Sequence, residues 1–413
     1  MSSKTDLSMT IPTPLPDNNS NGPEILAKRK GPLVILTSIF FINFLSRVVL
    51  APLLVAIEKE FHLGHQEAGV LIFIVTGGYS LSLFCSSYLA SRMVHQKIIF
   101  LSALGIGFSL LFLSFSQNIR LIRFVLFLMG ISAGIYLPSG IVTLTSLIKP
   151  KDWGKAIAVH ELAPNIGFFS APFLAEIFLQ WGSWRWLMGS LGTTSILLAL
   201  NFKAFGRGGN FLGQTPTTEM VRSMLKKPSL WIMMGFFGLG IGTSFGVYNM
   251  LPLYLVIERG FNRGWANTLI ALSRISGIFI AFLAGWFVDR WGVKKTLALV
   301  FLITGILTFF LGIANQGWLI PLVFLQPMVA VCFFPAGFTA ISQIGPAGSR
   351  NVAVSFVVPL GFILGGGAIP VLIGWTGERG SFSWGIILVG IITMACVPLV
   401  RGLKLAKGKI ETD

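Results

Sequence analysis

The chain has 413 residues, of which 54% are hydrophobic and 11% charged, with 36 Phe. Soluble domains carry about 25% charged residues, so a water-soluble globular enzyme is excluded. The formal net charge is +16, but the basic residues cluster in short segments between apolar runs, which points to a membrane orientation signal and away from nucleic acid.

Residues 1–31 are polar and rich in Pro, Ser and Asn, and end on Lys28, Arg29 and Lys30. They lack the apolar stretch of a signal peptide and read as a disordered cytoplasmic arm. Apolar runs then predict twelve helices, near 32–56, 69–90, 97–117, 121–147, 154–179, 184–203, 230–256, 265–287, 294–314, 318–343, 351–375 and 382–402. The expected architecture is an all-α polytopic membrane protein. Two pseudo-symmetric six-helix bundles, 32–203 and 230–402, are joined by a Gly-, Thr- and Lys-rich linker, 204–229, and followed by a tail, 403–413. Lys and Arg gather on the side of the arm, linker and tail. Both termini are therefore expected to be cytoplasmic, in the inner cell membrane. Cys85, Cys332 and Cys396 lie in apolar runs without metal-ligand spacing and read as core residues.

The halves echo each other. IYLPSGIVTLTSLIKP (135–150) matches CFFPAGFTAISQIGP (332–346) through Pro138 and Pro335, and through Gly140 and Gly337. Pro52 matches Pro252, and Pro164 matches Pro359. GWFVDRWGVKK (285–295) aligns with SYLASRMVHQK (87–97). Such repeats build transporters with a site at the interface between halves.

These residues carry a resemblance to the major facilitator superfamily. Gly285, Asp289, Arg290, Gly292, Lys294 and Lys295 follow that superfamily's loop signature after an even-numbered span. The first-half copy keeps Arg92 and Lys97 but has Ser87, Ser91 and Val94 where the signature has Gly, Asp and Gly. The resemblance covers roughly residues 30–405 and implies a carrier in which Asp289, Arg290 and Arg92 form a gating loop.

Buried charge identifies the candidate site. Arg47 interrupts SIFFINFLSRVVLAPLLVAI (38–57) and Arg274 interrupts ANTLIALSRISGIFIAFLAGW (266–286). A charge at mid-membrane costs at least about 2.5–3.5 kcal/mol. Two guanidiniums, with forks that suit carboxylates, imply a hydrated cavity that receives an anion. The alternatives are a structural ion pair and, for Arg47, snorkelling to headgroups. Asn43, one turn before Arg47, together with Tyr79, Tyr136, Tyr248 and Asn249, can complete a pocket; Gln326 and Asn267 are weaker candidates. Glu161 and His160 are the candidate proton-coupling pair, with Glu161 facing the cavity, and Glu176 is expected to be solvated. No P-loop, metal cluster or nucleophile motif is found, so no enzyme activity, cofactor or metal is expected.

The reading is a monomeric secondary transporter in the lipid bilayer, moving a small organic anion such as a carboxylate, with protons as possible co-substrate. An arginine in span one and another in span eight resemble the anion:cation symporter and oxalate-exchanger branches. The alternatives are efflux of a lipophilic or drug-like compound, and a non-transporting scaffold or sensor.

Overall fold

In the computed structural model, residues 30–213, 217–344 and 350–405 are described. The expected arm 1–31 and the end of the tail therefore lie almost wholly outside them. Twelve rods are present: α1 (Lys30–Phe61), α2 (His65–Arg92), α3 (His95–Phe115), α4 (Ile119–Leu147), α5 (Pro150–Trp181), α6 (Trp184–Phe205), α7 (Pro228–Glu258), α8 (263–291), α9 (Val293–Ile313), α10 (Gln316–Ser342), α11 (350–378) and α12 (Phe382–Gly402). Ten are long and apolar enough to cross a membrane, and α6 and α8 complete the set. Several rods outrun the hydropathy. α2 begins at His65 and α11 reaches Glu378 because these end turns pack on each other and on α12: Gln66 N–H donates to Glu378 at 3.3 Å, and the His65 and Phe382 rings are 4.8 Å apart.

Proline explains most helix breaks. α1 breaks at Val49, α4 at Ile135, α5 at Glu161 and α10 at Val331–Cys332, each just before Pro52, Pro138, Pro164 or Pro335. The ring displaces the carbonyl four residues earlier and removes one donor. α7 and α11 behave differently. Around Pro252 and Pro359 they carry wide π turns, Gly242–Gly246, Tyr254–Glu258 and Phe362–Ala368. A π turn shifts the hydrogen-bond ladder by one residue and frees carbonyl groups for other donors.

A further repeat emerges in the packing. α3 crosses α6 through Gly107 and Gly192, and α9 crosses α12 through Gly305 and Gly390. A Cβ on Gly107 would stand 2.9 Å from Gly192 O, and one on Gly390 would stand 2.9 Å from Gly305 O. Only the bare backbone permits these crossings. Away from these crossings the four helices expose Phe108, Phe112, Leu197, Leu302 and Ile391, as lipid-facing helices do.

The two halves close on the face away from the chain ends. The Leu50–Phe61 part of α1 packs on Val247–Leu253 of α7, and α2 packs on α11. Gly69 meets Pro370 and Val371 so closely that a Cβ would stand 2.8 Å from Val371 Cα. α5 packs mainly on the Arg263–Ser273 part of α8 and much less on the Ile275–Trp291 part. Toward the chain ends the halves part, and Glu161, Leu162 and Ile166 of α5 are exposed.

The linker is anchored to both halves. His95 N–H donates to Phe211 O at 3.3 Å, Gln96 N–H to Gly209 O at 3.0 Å, and Gly213 N–H to Ala90 O at 2.8 Å. The linker carbonyls thus cap the free donors at the start of α3. A short linker helix, Thr218–Leu225, then packs on α7 and α11.

Candidate functional site

Arg47 lies two residues before the α1 break and is 4% exposed. Its guanidinium carbon sits 4.1 Å from the centre of the Tyr79 ring and 5.1 Å from that of Phe44. Nε and Nη1 have no hydrogen-bond partner. Arg274 forms the break in α8 itself. Its guanidinium carbon lies 4.4 Å from the Tyr248 ring and 4.7 Å from the Phe168 ring. Nη2 donates to Ser244 O at 3.2 Å, a carbonyl within the first π turn of α7, while Nε is unpartnered. Neither arginine makes an ion pair among the described residues. Snorkelling and a structural ion pair thus fail as explanations for Arg47.

The magnitudes show what is missing. Removing an ion from water costs several kcal/mol after relaxation. A cation–π contact returns about 0.5–2 kcal/mol. Two ring faces per arginine leave each charge under-compensated, and an incoming anion would supply the remainder.

Rings connect the two cations across the halves. Phe44 meets Phe168 edge-on at 4.9 Å, and Phe168 meets Tyr248 at 4.8 Å. Phe245 contacts both Phe168 and Phe362 at 5.9 Å, and Phe362 meets Tyr79 at 5.0 Å. The wall is therefore apolar except at defined points. Asn249, next to Tyr248 in sequence, is fully buried, with neither amide atom partnered among the described residues.

The other sequence candidates separate into groups. Tyr79 and Tyr248 touch the arginines. Asn43 does not offer a free amide: Nδ2 donates to Ala133 O at 3.0 Å and ties α1 to α4. Tyr136 stands apart from the arginines, because its hydroxyl donates to Leu36 O at 2.7 Å and lies 3.1 Å from His160 Nε2. His160 is fully buried, while the neighbouring Glu161 side chain is 47% exposed. Gln326 supports the α7 π turn from behind, donating to Thr243 O at 2.9 Å and Thr308 Oγ1 at 3.1 Å.

Glu176 departs from the expected solvated state. It accepts both prongs of Arg263 at 3.1 Å, and Asn267 at 3.2 Å, linking α5 to α8 on the closed face. Hydropathy placed it at a span end, where water was the default partner, and gave no view of the facing helix. At the parted end, Asp289 and Arg290 are exposed, Arg290 rests 5.5 Å from the Trp286 ring, and no ion pair engages Asp289 among the described residues. Arg92 is likewise exposed, 5.4 Å from the Tyr88 ring. Among the described residues, the loop signature thus forms no ion pair in this conformation.

Phe44, Phe168, Phe245 and Phe362 were not singled out from the sequence. Phe44 was detectable in principle, one helical turn before Arg47. The other three are lost among the many Phe of the chain.

Two six-helix repeats, sealed at one end, parted at the other and charged at their shared centre, define a secondary transporter of small molecules. The chain belongs to the Major Facilitator Superfamily, whose family model matches residues 36–290 and 264–409. It is 22% identical over 402 residues to the uncharacterized transporter YybO of Bacillus subtilis, covering 87% of this chain and 90% of that one. It is also 22% identical over 388 residues to a probable L-galactonate transporter of Escherichia coli, covering 86% and 84%. Names among its relatives range over sugar, sugar-acid and drug carriers. A bacterial homolog of the human lysosomal transporter Spinster, in an inward-facing and occupied conformation, shares the fold with a TM-score of 0.76 at 17% identity, covering 91% of this chain and 97% of that one.

Proposed function

We propose that this transporter moves a small organic anion, with a carboxylate as the recognised group, by alternating access between its two halves. One observation carries the reading: two guanidiniums, one per half, have no acidic partner among the described residues and share a ring-lined centre. A carboxylate bridging Arg47 and Arg274 would neutralise both and lower the cost of closing the cavity around them. The name of the galactonate-transporting relative supports an anionic cargo. The basic residues on the chain-end side support cytoplasmic termini in an inner membrane, and the conformation is then inward-facing.

A second reading, efflux of a lipophilic compound, is favoured by the apolar ring wall and by a relative named as a multidrug resistance protein. The deciding experiment is flux in reconstituted vesicles against a panel of carboxylates and dyes, in the wild type and in Arg274→Gln. Anion flux lost in the variant at normal expression supports the anion carrier. Anion flux retained there removes the arginine as a ligand, and dye flux alone supports the efflux reading.

A further inference from the structure

Hydrogen bookkeeping in the α1–α4–α5 cluster leads to a proton-binding site. The Tyr136 hydroxyl has one hydrogen, and its 2.7 Å partner, Leu36 O, can only accept. Toward His160 the tyrosine oxygen therefore presents lone pairs. His160 Nε2, 3.1 Å away, must be the donor. In a neutral imidazole the other nitrogen, Nδ1, is then bare. That bare nitrogen lies 3.4 Å from Glu161 Oε1. An ionised carboxylate and a bare ring nitrogen would oppose lone pair to lone pair. One added proton removes the conflict, either as imidazolium beside carboxylate or as imidazole beside carboxylic acid.

We propose that His160 and Glu161 together bind one proton from solvent and carry it with the anion. The proposal rests on the anion-carrier reading above. Two features suit the pair to this task. The imidazole is clamped, stacked 4.4 Å from Phe40 and 5.9 Å from Tyr136, nearly parallel to both, so the ring orientation is held. Glu161 is half exposed toward the parted end of the halves, which gives the proton a route to water. Glu161 stands at the α5 break, just before Pro164, with its side chain exposed while His160 stays enclosed.

The pair also communicates with the arginines. His160 is held against α1, the helix that carries Arg47: its ring stacks on Phe40, and its partner Tyr136 donates to Leu36 O. Phe40 and Leu36 of α1 present no charge, and no other ion pair engages either residue among the described residues. Without its proton the pair carries one negative charge, which attracts Arg47 and competes with cargo. With the proton the pair is neutral, and Arg47 is free for the anion. Proton and anion thus favour each other's binding, and such coupling is reciprocal.

Two measurements test this, and the first needs no cargo. Nitrogen NMR on the full-length protein labelled at its 4 histidines, with His160 assigned by its loss in His160→Gln, reads both ring nitrogens. The expected result is Nε2 protonated throughout, with Nδ1 gaining and losing a proton as pH changes. Glu161→Gln removes the carboxylate beside Nδ1 and should alter that step. The reverse tautomer, or a step untouched by Glu161→Gln, overturns the proposal.

The second uses vesicles with the potential clamped at zero and a proton gradient of about one unit, offering succinate, galactonate or phthalate. One coupled proton supports about tenfold accumulation. Glu161→Gln should lower the ratio of accumulation to labelled-for-unlabelled exchange to near that of an uncoupled carrier. Wild-type accumulation in this variant overturns the proposal. Loss of exchange and accumulation together in Arg274→Gln reports on the anion site alone. If the wild type moves none of the three anions, the anion reading fails, and the NMR still decides the proton site.

Discussion

The first half holds its arginine against ring faces with no partner for Nε or Nη1, whereas the second half anchors its arginine to the backbone. Arg47 lies between Tyr79 and Phe44 with no backbone acceptor recorded for Nε or Nη1. Arg274 lies between Tyr248 and Phe168 but also donates to Ser244 O, which the π turn of α7 makes available. The same chemical group thus occupies two mechanical settings. Pro52, Pro138 and Pro164 in the first half, like Pro335 in α10, follow outright helix breaks, while in α7 and α11 the ladder widens without ending. A cation held by faces can follow a ligand or a nearby charge. A cation tied to a carbonyl moves only with its helix pair.

Four measurements break or sharpen that contrast. The largest effect is expected from Arg47→Gln, which removes a buried charge that has no ion-pair partner among the described residues. Anion binding should fall by about a hundredfold or more, the effect of removing a buried charge partner worth about 3 kcal/mol or more. Isothermal titration checks this. Equal binding in variant and wild type would remove Arg47 from the site.

Next is Gln326→Leu, which strips support from the anchored side. It leaves Thr243 O and Thr308 Oγ1 without this donor and should cost about 1–3 kcal/mol of stability, read as a lower melting temperature. It should also weaken anion binding through Ser244 and Arg274 while leaving the Arg47 surroundings intact. Unchanged binding would show that the π turn does not position Arg274.

Arg263→Ala addresses the closed face. Its pair with Glu176 is partly exposed, so solvent screening limits its worth to about 1 kcal/mol or less. The expected shift toward the oppositely open state is a few-fold, measured by thiol labelling of a cysteine placed near Asn267. No shift would mean that the α2–α11 contact closes this face without help.

The smallest effect is expected from Asp289→Asn. Asp289 is exposed and has no ion pair among the described residues, so stability should change by less than about 0.5 kcal/mol. A larger loss would show that the second-half loop makes contacts in solution that its conformation here lacks.

Much of the frame was legible in the sequence. Lipid demands uninterrupted apolar helices, so the twelve rods and their division at the linker stand out as runs. Arg47 and Arg274 were legible for the same reason, since charge in such a run is costly and must have a cause. Their surroundings were not. Phe168 and Phe245 look like any lipid-facing Phe until the helices are placed. The π turn at Gly242–Gly246 has no periodic signature, and so the acceptor for Arg274 was invisible. Glu176 appeared at a span edge, and only the folded arrangement brings it to Arg263. Asn43 was placed with Arg47 by helical proximity and Tyr136 as a polar residue on a cavity helix, yet their hydrogen bonds go to α4 and α1 backbone instead.

The linker has a mechanical consequence. Gly213 is bonded to Ala90 of the first half, and the short helix beginning at Thr218 rests on the second. Those two fastenings are close in sequence, and a polypeptide extends at most about 3.6 Å per residue. While both fastenings hold, the chain acts as a leash on the mouth of the carrier, capping how wide it can gape on that side whatever the cargo inside.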